Sequence, residues 1–95
     1  MELNIEYNPK NDGYCCVFEH NGKQYYADVC DLDRTILLAC SGFGTECMIF
    51  AYADGQVTNW TELYCKRGVE VSPEGLRVCI EEFVEQLEDD LKKLM

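Results

Sequence analysis

The stretch 14–30, YCCVFEHNGKQYYADVC, decides the fold of this chain. Two runs rich in aromatic, β-branched and cysteine residues flank Asn21-Gly22. Both central residues of a type I′ turn need a positive φ, which Asn and Gly adopt readily. The sequence therefore predicts a β-hairpin with a two-residue loop. Its register pairs His20 with Lys23, Phe18 with Tyr25, Cys16 with Ala27 and Tyr14 with Val29.

This register divides the hairpin into two faces, because side chains alternate along a strand. The apolar face consists of Tyr14, Cys16, Phe18, Tyr25, Ala27 and Val29. The mixed face consists of Cys15, Val17, Glu19, Gln24, Tyr26 and Asp28. Turn chemistry and hydrophobic patterning thus agree on a single register, and the apolar face is the one that a core would cover.

Other strands are predicted on both sides of this hairpin. Residues 2–7 alternate strictly, with Leu3, Ile5 and Tyr7 on one face, which is typical of a half-buried strand. Residues 46–53 and 56–64 are β-rich and flank Asp54-Gly55, so they predict a second hairpin. The first of these two strands is apolar on both faces, as in an interior strand.

Two connecting segments are predicted with less regular structure. Residues 66–68, KRG, are predicted as a loop. Residues 31–45 fit either a short helix, capped by Asp31 or Asp33 and ending at Gly42, or a short strand over 35–38.

The last segment predicts a helix that begins at Ser72-Pro73. Serine is a favoured cap, and proline at the first helical position loses no hydrogen bond. Apolar residues then recur at steps of three and four over some five turns: Leu76, Cys79, Ile80, Phe83, Val84, Leu87, Leu91 and Leu94. A helix with such a stripe must cover an apolar surface.

The predicted fold class is therefore α+β. An antiparallel sheet of about five strands, built from two hairpins plus an N-terminal strand, is covered on one face by a long C-terminal amphipathic helix. A length of 95 residues predicts a single domain over residues 1–95, because two halves would each be too small to build a core.

Charge narrows the function classes. Eighteen Asp and Glu against eight Lys and Arg give a formal net charge of −10. Such a surface repels phosphate groups, so direct binding to nucleic acid or to anionic membrane is disfavoured. The first 13 residues have neither a basic start nor a long apolar run, so no secretory signal is predicted. We expect a cytoplasmic protein.

Seven cysteines are many for this length. Most lie within apolar runs, where a free cysteine behaves as a small hydrophobic residue. Their spacing lacks the two short Cys pairs of a structural zinc site, and Cys15-Cys16 would point to opposite faces of a strand. We expect reduced core thiols, with no metal and no cofactor.

Catalysis is not predicted. The single histidine, His20, lies beside a hairpin turn, and no serine or cysteine has an evident base. The segment 42–45, GFGT, lacks the third glycine and the lysine of a phosphate-binding loop. No catalytic residue is assigned, and the protein is not expected to be an enzyme.

Carboxylates and aromatic residues form the predicted partner-binding site. Glu81, Glu85 and Glu88 share one side of the predicted helix, with Glu82 and Asp89 beside them. Three aspartates near the end of the first hairpin, Asp28, Asp31 and Asp33, extend this surface or make a second contact. Tyr26 and Trp60 are the predicted aromatic anchors, since both residue types are favoured at interfaces.

A short, strongly acidic, hairpin-rich chain without catalytic motifs resembles the small accessory proteins of phages and mobile elements, such as anti-CRISPR and antirestriction proteins. The resemblance covers size, charge and the order of elements. Several of those proteins occupy the nucleic-acid-binding surface of a bacterial defence enzyme. The resemblance therefore implies a protein partner with a basic surface, such as a CRISPR effector nuclease or another nucleic-acid-binding protein, in the cytoplasm of a bacterial host cell.

Two hypotheses follow. In the first, the protein is a non-catalytic inhibitor that docks on such a basic surface by partial DNA mimicry. In the second, it is a structural or regulatory interaction module unrelated to nucleic acid. Such a module would be a monomer or a homodimer formed through a strand edge or through Leu91 and Leu94.

Overall fold

Six strands and one helix make up residues 3–31, 44–58 and 63–94, which are the residues that the computed structural model describes. In chain order they are β1 (Glu6–Asn8), β2 (Gly13–His20), β3 (Lys23–Asp31), β4 (Thr45–Ala53), β5 (Gln56–Val57), β6 (Tyr64–Arg67) and α1 (Pro73–Leu94). The antiparallel sheet has the order β1-β2-β3-β4, and both β5 and β6 pair with the remaining edge of β4. The predicted α+β class, with five strand positions and a C-terminal helix, is confirmed.

The first hairpin has the predicted turn and register. Asn21 and Gly22 have φ values of 53° and 79°, and each residue pair from Tyr14–Val29 to His20–Lys23 is in place. Asp54 and Gly55 repeat this geometry between β4 and β5, with φ values of 53° and 79°. Both turns follow from the same local chemistry, because Asn and Asp tolerate the left-handed conformation and Gly, which has no Cβ, adopts it readily.

The core lies between one face of the sheet and α1. The sheet contributes Cys16, Phe18, Tyr25, Ala27, Val29, Cys47 and Ile49, and the helix contributes Leu76, Cys79, Ile80, Phe83 and Val84. Fully burying one aliphatic or aromatic side chain of this kind contributes about 1.5–3 kcal/mol. The face of the hairpin that was predicted to be apolar is therefore the face that the helix covers.

The helix begins as predicted. The Ser72 hydroxyl accepts a hydrogen bond from the backbone N–H of Gly75 at 3.0 Å, which satisfies one of the unpaired donors of the first turn. The apolar stripe is packed against the core as far as Leu87, whereas Leu91 is 50% exposed. The stripe thus continues past the core. The side chain of Leu94 lies outside the described part of the chain.

The N-terminal strand is shorter than predicted. Regular pairing covers only Glu6–Asn8 instead of residues 2–7, although Leu3 and Ile5 do pack against the core. Tyr7, which was predicted to face the core, is 55% exposed. It lies on the edge strand, where its hydroxyl donates to Asp12 at 2.6 Å rather than entering the core.

The prediction of a loop over 66–68 was wrong, because Lys66 and Arg67 belong to β6. The predicted strand over 56–64 is divided into β5 and the start of β6. The charges of β6 are tolerated because each cation meets a carboxylate, Glu82 for Lys66 and Glu46 for Arg67.

Of the segment 31–45, the structure describes only Asp31, Gly44 and Thr45. Asp31 is the last residue of β3. Residues 32–43, which include Asp33, lie outside the described residues, and so does Trp60. The choice between a helix and a strand there stays a prediction.

Candidate protein-docking surfaces

The exposed side of α1 carries three carboxylates, Glu81, Glu85 and Glu88, that we name the helix acidic row. All three are exposed, and no ion pair between described residues includes any of them. Steps of three and four residues put neighbouring members about 5–6 Å apart, so the row spans about 10 Å. Asp89 is also exposed. The row is thus a set of solvated negative charges on a rigid support.

Positive charges border this row. Arg77 precedes Glu81 by one helical turn, and Lys92 follows Glu88 by one turn. Arg77 lies 3.7 Å from Glu74, the acid of the first turn. The row is therefore a short negative segment rather than a uniformly acidic face.

Glu82, which the sequence grouped with this row, is used inside the molecule. Its carboxylate accepts from Lys66 Nζ at 2.7 and 2.9 Å and from the Tyr64 hydroxyl at 3.1 Å. These hydrogen bonds hold the pKa of Glu82 below its usual range, and they raise the pKa of Lys66. Both shifts describe the same pairing, which joins α1 to the edge strand β6.

Two other predicted residues, Tyr26 and Asp28, lie on the face of the sheet that α1 does not cover. The helix packs against Tyr25, Ala27 and Val29, and side chains alternate along β3. The helix acidic row lies on the side of α1 that faces away from the sheet. The predicted partner-binding residues thus form two separate surfaces instead of one.

Asp28 is held by neutral donors. Asn11 Nδ2 lies 3.0 and 3.1 Å from its two carboxylate oxygens, and the Tyr26 hydroxyl lies 3.4 Å from one of them. Burial raises the pKa of Asp28, although both hydrogen bonds act in the opposite direction. Burial also raises the pKa of Tyr26, and the neighbouring charge of Asp28 adds to the effect. This carboxylate is therefore partly desolvated, and no cation among the described residues pairs with it.

The remaining predicted residues add little to either surface. Asp31 is half-buried at the end of β3, where it lines a shallow cavity with Tyr14 and Val71. Asp33 and Trp60 lie outside the described residues.

Sequence reasoning missed the aromatic residues that β4 adds to the surface around Tyr26. The rings of Tyr26 and Tyr52 are stacked, with centroids 6.2 Å apart and planes inclined by 25°. Phe50 is the direct neighbour of Tyr26 in the register. A signal was present, because residues 46–53 are apolar on both faces while only one helix was predicted to cover the sheet.

Among the described residues, no three His, Cys, Asp or Glu side chains are grouped as a metal ion would require. Within the same part of the chain, no helix is both long and apolar enough to cross a membrane. Comparison with protein families, curated proteins and solved structures found no match to this chain.

Proposed function

We propose that this protein is a non-catalytic binding protein that docks through the helix acidic row on the basic, nucleic-acid-binding surface of a protein partner. The observation that supports the proposal is that Glu81, Glu85 and Glu88 are exposed and form no ion pair with any described residue. A bacterial defence nuclease of the kind that anti-CRISPR and antirestriction proteins inhibit is the partner class that suits this chemistry.

The mechanism is competition for cations. Lysine and arginine side chains that contact phosphate would contact the row instead, and complementary charge would speed the encounter. The support under the row is rigid, because Leu76 and Ile80 on the other side of α1 are 0% exposed. A partner therefore meets carboxylates whose backbone needs no further ordering, which lowers the entropic cost of binding.

Immobilised protein would test the proposal by capturing partners from bacterial lysate, with elution first by a short DNA duplex and then by a salt gradient. We expect a basic nucleic-acid-binding protein that the duplex displaces. The double variant Glu81→Lys/Glu85→Lys should no longer capture this partner. The double variant Glu6→Lys/Glu19→Lys makes the same change in net charge on the face of the sheet that α1 does not cover, and it should still capture the partner.

Two results would contradict docking through the row. One is capture that neither duplex nor salt reverses. The other is an equal loss in both double variants, because that result would reflect net charge alone.

A homodimer is the second candidate, and the exposure of Leu91 favours it. This residue is 50% exposed, and it lines a cavity with Leu87, His20 and Tyr25 beside the first hairpin turn. A second copy could cover this end of the apolar stripe. Sedimentation of the wild type and of Leu91→Glu would decide, since only a dimer that uses this contact would dissociate in the variant.

A further inference from the structure

The face of the sheet that α1 does not cover, which we name the helix-free face, presents a row of apolar side chains. Its apolar members from the described strands are Val17, Tyr26, Met48, Phe50 and Tyr52. Val17 is 44% exposed, and the other four are partly exposed. Contiguous apolar surface of this kind on a soluble domain marks an interaction site.

Negative charge surrounds this apolar row. Glu6 and Glu19 are exposed beside it on β1 and β2, and Asp28 lies next to Tyr26 within it. The described strands bring a single cation to this face, Arg67, and its Nε lies 2.8 Å from the carboxylate of Glu46. The surface therefore combines apolar area with an excess of negative charge, which a cationic and apolar partner would complement.

Asp28 is the residue that specifies the cation. A carboxylate can accept about four hydrogen bonds, and within the described part of the chain Asp28 accepts three, all from the neutral side chains of Asn11 and Tyr26. The Tyr26 hydroxyl contacts Asp28, and the Tyr26 ring stacks on the Tyr52 ring. An approaching guanidinium would supply the positive charge that these neutral donors lack, and it would find an aromatic ring beside the carboxylate.

We infer that the helix-free face binds an arginine-bearing segment of a partner protein. Its guanidinium pairs with Asp28 and packs on Tyr26, and the apolar residues that flank the arginine contact Val17 and Phe50. Arginine suits the site better than lysine because its planar group stacks on aromatic rings, bonds a carboxylate through two N–H groups and is weakly hydrated. Tyr52 acts as a positioning residue that holds the Tyr26 ring.

A second copy of this chain fits the same face poorly. Each copy carries a net charge of −10, and a symmetric contact would place the acidic surface of Glu6, Glu19 and Asp28 against the same acidic surface of the other copy. The inference is independent of the proposed function, because the helix acidic row lies on the other side of the molecule. An experiment can therefore disprove binding at one of the two surfaces without affecting the proposal for the other.

A defined peptide replaces the unidentified partner in the test. The probe is Ac-Gly-Val-Arg-Val-Arg-Val-Gly-NH2, and matched peptides carry lysine or glutamine in place of arginine. The full-length ¹⁵N-labelled protein is titrated with each peptide near physiological ionic strength, and shifted amide resonances map the contact. We expect shifts around Val17, Tyr26 and Phe50, with affinity falling from the arginine to the lysine to the glutamine peptide.

Variants separate this site from general attraction to an acidic chain. Asp28→Asn should weaken binding of the arginine peptide roughly tenfold, the effect of losing one charged hydrogen-bonded contact. Tyr26→Leu, which keeps an apolar residue, should reduce the preference for arginine over lysine. Glu85→Gln removes one negative charge from the helix acidic row and should leave binding unchanged.

Several outcomes would overturn the inference. They are equal binding of the glutamine peptide, shifts confined to the helix, an unchanged affinity in a folded Asp28→Asn protein, and no binding of any peptide. Shifts on the helix-free face that grow with protein concentration before any peptide is added would assign the face to a second copy instead. Tyr26→Leu keeps the test decisive if Asp28→Asn does not fold.

Discussion

Lys66 on β6 and Glu82 on α1 form an ion pair, with Nζ 2.7 Å from Oε2, that joins the edge of the sheet to the helix. The Tyr64 hydroxyl donates to the same oxygen at 3.1 Å. Tyr64 in turn packs its ring against Phe83, with centroids 5.7 Å apart. The pair therefore closes the open edge of the core, and this explains why Glu82 differs in role from the acids around it.

Replacing Glu82 with Gln should lower stability slightly at neutral pH, because exposed ion pairs contribute little. The pKa of Glu82 is lowered in the folded protein, so the unfolded chain binds this proton more tightly. The stabilisation is therefore present above the unfolded pKa of about 4.3 and is lost as pH falls through the folded value. Urea unfolding of wild type and variant at neutral and acid pH would measure it. A difference that persists at acid pH contradicts the assignment, and Glu81→Gln is the control.

Leu76 and Leu91 offer a matched pair on one helix, since the first is 0% and the second 50% exposed. Leu76→Ala should lower the free energy of unfolding by about 2–5 kcal/mol, because it removes buried contacts and leaves a cavity. Leu91→Ala should change it by about 0.5 kcal/mol or less. Denaturant titration gives both values. Similar losses would mean that Leu91 is covered in solution, which would favour the homodimer.

The first hairpin could be predicted from the sequence because its signals are local. The turn at Asn21-Gly22 and the alternation on both sides of it fix the register without knowledge of any distant residue. The start of α1 is similar, since the Ser72 cap acts within one turn. Local chemistry of this kind competes with few alternatives.

The cross-link at Glu82 could not be predicted in the same way. Lys66 and Glu82 are 16 residues apart and belong to different elements, so no periodic pattern connects them. The same gap explains the wrong loop at 66–68, because charged residues indicate a loop until their partners are known. By contrast, the separation of Tyr26 and Asp28 from the helix acidic row was implicit in the predicted hairpin. Its mixed face could not also face the helix.

Gly75 in the first turns of α1 should not tolerate alanine. Gly→Ala within a helix usually stabilises by about 0.5–1 kcal/mol. At this position a Cβ would clash with the backbone carbonyl oxygen of Glu70. Because the clash involves a backbone atom, rotation of a side chain cannot relieve it. We expect Gly75→Ala to cost about 1–3 kcal/mol, as overpacking does. Thermal unfolding would measure it, with Gln86→Ala at an exposed helix position as the control. A stabilised Gly75→Ala protein would show that the chain before the helix moves freely.

The cysteines should differ sharply in reactivity. Six of the seven are described and free, and only Cys65 among those six is exposed. Burial raises the pKa of the thiols of Cys47 and Cys79, and it raises that of Cys30 to about 11. Since the thiolate is the reactive form, brief alkylation of the native protein should modify Cys65 well before these three. Peptide mapping by mass spectrometry gives the order, and Cys65→Ser should remove the fastest modification among the six described cysteines. Equally fast modification of Cys47 would mean that the core opens readily.

Asp28 should affect stability with the opposite pH dependence to Glu82. Burial raises the pKa of Asp28 in the folded protein, so the folded state binds this proton more tightly than the unfolded chain. Its ionisation therefore lowers stability as pH rises from the unfolded value of about 3.9 through the folded value. The Asp28→Asn variant has no carboxyl group to ionise here, so its free energy of unfolding does not fall in this way. It should therefore gain stability relative to wild type as pH rises from acid to neutral. Urea unfolding across that range tests the sign, with Glu85→Gln as a control for the loss of one charge. A relative gain as pH falls would show that Asn11 and Tyr26 stabilise the ionised carboxylate more than burial destabilises it, and Asp28 would then need no cation from a partner.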